Sequence, residues 1–118
     1  MSLYAFMAPI QPGMTEQFRA FVAELSGDRK ADYEASRKEA GFHRETIFLQ
    51  KTAAGEMVVV VQEADDARKA MDSLRNMKGP FNTWFFQRLK DIHGVDVIGT
   101  DVPTNELLLD YRTEYTSK

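Results

Sequence analysis

The stretch GFHRETIFLQKTAAGEMVVVVQEA, residues 41–64, decides the fold of this chain. Two segments rich in β-branched and aromatic residues flank the short connection TAAGE, and this pattern predicts a β-hairpin. Gly41 stands directly before the first strand, where glycine readily ends a helix in a left-handed conformation. The sequence therefore predicts an antiparallel sheet built around this hairpin, with a helix leading into it.

Helices are predicted on both sides of the hairpin. Residues 14–25 repeat apolar side chains at the 3.6-residue period of a helix, and residues 28–40 follow as a second, charged helix. Beyond the hairpin, Asp65 or Asp66 is expected to cap a third helix. Residues 80–94 predict a fourth helix, which ends at a glycine.

The remaining strands complete two similar halves. SLYAFMAPI, residues 2–10, predicts the first strand, and VDVIGT, residues 95–100, predicts the last. Each half then reads strand, helix, helix, strand, and two right-handed crossovers give an α+β, ferredoxin-like antiparallel sheet with its helices on one face. We expect residues 1–102 to form this domain and residues 103–118 to be its C-terminal tail, as an extra strand or an arm on a partner.

Composition limits the function classes. The chain of 118 residues has 15 Lys and Arg against 18 Asp and Glu and a net charge of -3, which does not favour binding to nucleic acid or acidic lipid. Cysteine is absent, so disulfides, thiolate catalysis and the usual zinc sites are excluded. The N-terminus lacks the basic region of a secretory signal, and no apolar run is long enough to span a membrane. We expect a soluble, cytoplasmic protein.

The strands are apolar on both sides, which predicts a partner for the sheet. The first strand alternates Tyr4 and Phe6 with Leu3 and Met7, and residues 57–61 read MVVVV. A sheet with one face in water alternates apolar with polar residues, and this one does not. Since the helices cover one face, a second copy is expected to cover the other, giving a homodimer with an interior space. The alternative is that the helices and the tail cover both faces within one chain.

The start of the second strand carries the candidate catalytic residues. His43 and Glu45 are two apart on a strand and are expected to share a face with Ile47, whereas Arg44 points to the other face. On an inner face, an imidazole beside a carboxylate suits proton abstraction from an aromatic or enolisable substrate. The alternative is that both lie at the solvated end of the strand, with Glu45 paired to Arg44 or to a helix.

Other residues are assigned on weaker patterns. Tyr4, Phe6, Ile47 and Trp84 are the candidate ligand-binding residues, because aromatic and aliphatic side chains line small-molecule sites. His93, in the last turn of the fourth helix, is expected to cap free carbonyls. No HxxxH or ExxH spacing supports a metal site, and no motif requires a cofactor, so neither is predicted.

The order of elements, the GFHRETIFLQ strand, the hairpin into MVVVVQEADDARKAM, and PFNTWF before IHGVDV together resemble the dimeric α+β barrel superfamily, within it a small branch of uncharacterised proteins. The resemblance covers about residues 3–100 and rests on pattern rather than on a catalytic motif. Relatives in that superfamily include cofactor-free monooxygenases acting on aromatic polyketides, haem-degrading enzymes, chlorite dismutase-like haem proteins and small-molecule-sensing domains. The resemblance implies a dimer with a ligand-sized cavity on the inner face of each sheet.

Three functions are consistent with these observations. The first is a homodimer that binds a small apolar or aromatic molecule and acts as a cofactor-independent oxygenase or isomerase through His43 and Glu45. The second is a non-catalytic ligand-binding or sensing module, and the third is a purely structural dimer. The residues alone do not decide whether the protein is an enzyme, since one fold hosts many functions.

Overall fold

The computed structural model describes residues 2–94 and 105–113. Its elements run in the order β1 (Ser2–Pro9), α1 (Thr15–Leu25), α2 (Lys30–Ala40), β2 (Phe42–Thr52), β3 (Gly55–Ala64), α3 (Ala67–Asn76) and α4 (Pro80–His93). The three strands form an antiparallel sheet in the order β1-β3-β2. The predicted α+β class is confirmed, and all seven elements correspond to predicted ones.

The strand order is compatible with a ferredoxin-like sheet, in which a fourth strand lies beside β1. Residues 95–100, predicted as that strand, lie outside the described residues, as does the predicted boundary between residues 102 and 103. Where the description resumes, the side-chain amide of Asn105 donates to the carbonyl of Ala5 on β1. The segment 105–113 therefore begins against β1.

Local signals in the sequence account for the ends of two helices. Asp66 caps α3, because its carboxylate accepts from the backbone N–H of Lys69 at 3.1 Å. Gly41 ends α2 with φ 102°, a left-handed conformation that glycine adopts without a Cβ clash. Both ends match the predictions.

The helices pack on one face of the sheet, where two apolar clusters form the core. One cluster joins α1 and α4 to the middle of the sheet: Ile10, Phe18, Phe21, Leu25, Val58, Val60, Phe85 and Ile92. The other joins α3 to the start of β2 and the end of β3: Ala40, Phe42, Ala64, Ala67, Ala70, Met71 and Leu74. Within the described ranges, no helix combines the length and the apolar character needed to cross a lipid bilayer.

The opposite face of the sheet is open in the single chain and carries apolar side chains. Met7 is 63% exposed, Phe48 is 53% exposed and Leu3 is 38% exposed. Val59 and Val61 lie between them on β3 and are half-buried. The lack of polar alternation that the sequence indicated is therefore a property of this open face.

Candidate functional site

A β-bulge at the start of β2 separates the two residues that the strand pattern placed together. Phe42 lies opposite Ala64 and Arg44 lies opposite Glu63, so His43 is an extra residue in the ladder. The bulge reverses the alternation at this point and leaves Phe42 buried on the helix side. The alternation by which His43 and Glu45 were expected to share a face is therefore interrupted, although both side chains line the groove described below.

His43 lies at the surface with a carboxylate of its own. Its Nε2 is 3.0 Å from Oδ1 of Asp65, and the two side chains are 50% and 90% exposed. The hydrogen bond from His43 holds the pKa of Asp65 below its ordinary value. This pair lies at the solvated end of the strand. For His43, this agrees with the alternative interpretation of the sequence.

Glu45 is buried under the helices and is the centre of a polar network. Its Oε1 accepts from Arg37 Nε at 3.0 Å and from the hydroxyl of Tyr33, and its Oε2 accepts from Gln62 Nε2 at 2.7 Å. The side chains of Arg37 and Glu45 are 9% and 7% exposed. The alternative interpretation, in which Glu45 pairs with a helix, describes its contacts, although the pair is buried rather than solvated.

Further contacts fix the guanidinium of Arg37. Its Nη1 donates to Ser36 Oγ at 3.0 Å, and its Cζ lies 4.6 Å from the ring centroids of both Tyr33 and Phe85. Stacking on aromatic faces and pairing with a carboxylate are the two interactions that suit a buried guanidinium best. The Arg37–Glu45 pair is therefore held in one arrangement.

The network sets the protonation states of its members. Burial alone would raise the pKa of Glu45, but the Arg37 charge and the donors from Tyr33, Gln62 and Arg37 together lower it below its ordinary value. Burial, and then the Glu45 carboxylate, raise the pKa of Tyr33 above its usual range. At neutral pH the site holds an ionised carboxylate and a protonated phenol.

A cavity of about 40 Å³ lies between the sheet and the helices at the inner end of this network. Its walls are mostly apolar and include Phe6, Ile47, Val60 and Phe85. A cavity of this size has room for one or a few water molecules and not for an aromatic ring. The ligand-sized cavity that the resemblance implied is therefore not open in this conformation of the single chain.

An open groove of about 330 Å³ lies on the other side of the same network, between α2 and the start of β2. Arg37 and Glu45 line both the groove and the cavity, whereas His43 lines only the groove. The ion pair therefore lies between an open groove of ligand size and a small apolar cavity.

The side-chain oxygen of Gln62 accepts no hydrogen bond from the described residues. It is 1% exposed and lines the cavity, and its Oε1 has no hydrogen-bond partner among the described residues. The orientation of its amide follows from chemistry, because the ionised Glu45 carboxylate only accepts and must receive a hydrogen from Nε2. Gln62 Oε1 is thus directed away from Glu45 and left unpaired, which costs free energy in a buried site.

His93 lines the same cavity and was predicted to serve only as a helix cap. Its Nδ1 is 2.7 Å from the carbonyl oxygen of Pro9, and a carbonyl only accepts, so Nδ1 carries the hydrogen. Burial lowers the pKa of His93, which outweighs the opposite effect of the Pro9 bond. His93 is therefore a neutral imidazole bonded to β1, and its Nε2 has no partner among the described residues. The predicted capping of α4 carbonyls is wrong.

The predicted ligand-binding residues divide between the cavity and other parts of the core. Phe6 and Ile47 line the cavity. Tyr4 stacks against Phe6 with ring centroids 5.6 Å apart but lies nearer α3. Trp84 packs 5.5 Å from the ring of Phe21 and does not line the cavity.

Another surface depression, of about 260 Å³, lies at the start of α3 beside Tyr4, Arg68 and Asp72. Asp72 pairs with Arg75 at 2.7 Å in this depression. Among the residues that the structure describes, no group of three or more His, Cys, Asp or Glu side chains could hold a metal ion. We take the Glu45 network as the candidate site, because it combines buried charges, an unpaired acceptor and a cavity.

Sequence reasoning missed Arg37 and Gln62, and it gave His93 a different role. Gln62 had a signal, because it occupies the buried register of β3 after Val58 and Val60. Arg37 lies one helical turn beyond Tyr33, but nothing in a charged helix shows which cation turns inward.

Comparison with known proteins gives a family but no activity. No curated protein and no solved structure matches the chain. The model of DUF6176, described as a family of unknown function, matches residues 1–91, a range that holds the whole Glu45 network and ends just before His93. Since this is most of the 118 residues, the chain belongs to the DUF6176 family of unknown function.

Proposed function

We propose that the protein is a homodimer whose subunits each bind a small, largely apolar or aromatic molecule between the sheet and the helices. The observation that carries this proposal is the buried Arg37–Glu45 pair at the end of an apolar cavity. The remaining features support it by their chemistry and position.

A buried ion pair is a poor device for stability. Removing two charges from water costs about as much free energy as their attraction returns, and well-packed apolar residues often do as well or better. Small-molecule sites, in contrast, are apolar pockets with a few convergent polar groups. The Arg37–Glu45 pair, with Tyr33 and Gln62 as its donors, has the character of such a site.

The ligand needs more room than the closed cavity has. Small-molecule sites usually have volumes of about 300–1,000 Å³, and the groove outside Arg37 has about 330 Å³. Because Arg37 lines both spaces, we propose that a ligand displaces its side chain from these contacts and thereby joins the groove to the cavity. We propose that the ligand enters along α2 and that its apolar part lies against Phe6 and Ile47.

Glu45 is better suited to positioning than to proton abstraction. A carboxylate with three hydrogen-bond donors and a lowered pKa is a weak base, because its charged form is already stabilised. This favours a non-catalytic binding or sensing module. Isomerase or cofactor-independent oxygenase chemistry is a second candidate, favoured by His93, a neutral imidazole with a free Nε2 at the same cavity.

The open face of the sheet supports the proposed dimer. Leu3, Met7 and Phe48 are exposed there beside half-buried valines, and monomeric proteins rarely expose contiguous apolar patches of this kind. A second copy is the occupant that we propose, because two such sheets stack face to face at about 10 Å. The exposed Leu107 and Tyr111 of the tail are available to extend the same contact.

A cavity-filling variant tests the binding site. Ala8 is 4% exposed and lines the cavity, so Ala8→Val fills part of it. Phenol at millimolar concentration should raise the melting temperature of the wild-type protein and not that of Ala8→Val. Ala5→Val, the same change on the open face of β1, is the matched control and should respond as wild type does. An equal phenol response in Ala8→Val would remove the cavity from the proposal.

A further inference from the structure

Two acceptor atoms at the cavity lack donors. Gln62 Oε1 is fully buried and unpaired, and His93 Nε2 has no partner among the described residues. Both side chains line the same space. Each is held in place from behind, Gln62 by Glu45 at 2.7 Å and His93 by the Pro9 carbonyl at 2.7 Å.

The fixed partners decide which atoms face the ligand. Because the Glu45 carboxylate accepts one amide hydrogen of Gln62, the orientation of that amide is fixed and its Oε1 is left as an unpaired acceptor. Because the Pro9 carbonyl takes the Nδ1 hydrogen of His93, that imidazole presents a lone pair at Nε2. These two atoms can therefore meet a ligand only as acceptors.

From this arrangement we infer that the ligand is a neutral molecule with a hydrogen-bond donor, such as a phenol, an enol or an alcohol, whose hydroxyl hydrogen is donated to Gln62 Oε1. This inference rests on the proposed function and names the chemical class of its ligand. A ligand without a donor leaves Gln62 Oε1 buried and unpaired, which costs affinity. An anionic ligand would lie beside the buried Glu45 carboxylate and be repelled by it.

The size of the cavity agrees with a donor group as the innermost part of the ligand. A volume of about 40 Å³ accommodates a hydroxyl group beside Gln62. The ring or chain that carries the hydroxyl then occupies the space that opens when Arg37 moves toward the groove. The polar end enters first and the apolar body follows.

Phenol and toluene form a matched pair of probes, because they differ in shape by little more than a hydroxyl in place of a methyl. Each is titrated into the wild-type protein while the methyl resonances of Ile47, Val58 and Val60, which line the cavity, are followed by NMR. We expect phenol to bind at least about tenfold more tightly, although toluene is the more hydrophobic of the two.

Two variants make the comparison specific to the acceptor. Gln62→Met removes the oxygen and keeps the length of the side chain, and it should abolish the preference for phenol while toluene affinity stays unchanged. Gln17→Met, the same substitution on the exposed side of α1, should keep the preference. Should Gln62→Met not fold, the comparison of phenol with toluene on the wild-type protein still decides the question.

The contrary results are distinct. Equal binding of phenol and toluene, measured at the cavity methyls, overturns the inference that the ligand carries a hydrogen-bond donor and leaves the proposed binding function standing. Tighter binding of toluene overturns that inference as well. The absence of any shift at these methyls with either probe overturns the proposed function together with the inference.

Discussion

The two faces of the sheet reverse the usual distribution of polar and apolar residues. The face under the helices, where apolar residues are expected, buries Glu45 and Gln62 at directly opposed positions of β2 and β3. The face away from the helices, where polar residues are expected, exposes Leu3, Met7 and Phe48. Each departure costs stability or solubility in an isolated chain.

The difference between the faces assigns a separate role to each. A buried polar network beside a cavity indicates recognition of a small molecule, and an exposed apolar surface indicates a protein partner. In the proposed function, the sheet is the common wall of the ligand site and the dimer interface. The following predictions test the two roles independently.

The largest effect is expected from breaking the buried network on one side. Glu45→Ala leaves the Arg37 guanidinium buried without a carboxylate and should lower the free energy of unfolding by about 3–5 kcal/mol. Urea denaturation at a fixed protein concentration measures it. Glu16→Ala removes the exposed partner of Arg19 and should cost less than about 1 kcal/mol. Equal losses in the free energy of unfolding of the two variants would show that the buried pair of Glu45 contributes no more than an exposed ion pair.

A charge introduced on the open face of the sheet is expected to weaken dimerisation. Phe48→Asp places a carboxylate twice in a two-fold interface and should weaken dimerisation by more than about a hundredfold. Light scattering should give about twice the chain mass of 13.5 kDa for wild type and the single chain mass for the variant. Gln17→Glu, on exposed α1, should remain dimeric. A monomeric wild-type protein at micromolar concentration would contradict the proposed interface.

A smaller effect on stability is expected when the pH is lowered and His93, on the helix-facing side of the sheet, is protonated. Burial lowers the pKa of His93 below its ordinary value of 6.5, so the unfolded chain binds the proton more readily than the folded one. Stability from this residue is complete above about pH 6.5 and falls below it, by at most about 1.4 kcal/mol per pH unit. In His93→Gln this part of the slope should vanish. An unchanged slope in urea denaturation between pH 6.5 and 5 would exclude a neutral, buried His93.

The smallest effect is expected at the bulge. His43 pairs with Asp65 at the surface, and exposed pairs contribute little to stability. His43→Ala should leave both the melting temperature and the binding of phenol close to wild type. Loss of phenol binding in this variant would return His43 to the site and contradict the separation of His43 from Glu45.

Much of the fold was predictable because its signals are local. The MVVVV hairpin, the Asp66 cap and the Gly41 helix end each depend on a few neighbouring residues. The apolar open face was also predictable, since alternation in a strand shows what both faces carry. Strand 95–100 stays a prediction, because it lies outside the described residues.

The site was only partly predictable because it depends on packing. The role of Glu45 in a site stays a prediction, and the bulge at His43, which interrupts the strand alternation, leaves no reliable sign in the sequence. Arg37 and Gln62 are 8 and 17 residues from Glu45 and meet it only once α2 lies on the sheet. The tautomer of His93 depends on Pro9, at the other end of the chain.

One measurement tests most directly whether the buried network exists for binding rather than for stability. The double variant Arg37→Met, Glu45→Leu replaces the ion pair with apolar side chains of similar size, and its unfolding in urea is compared with that of wild type. If the network serves a ligand, the double variant should be within about 1 kcal/mol of wild type or more stable, because apolar packing compensates for a buried pair. A loss as large as that expected for Glu45→Ala alone would contradict the account and make the network a structural element of the core.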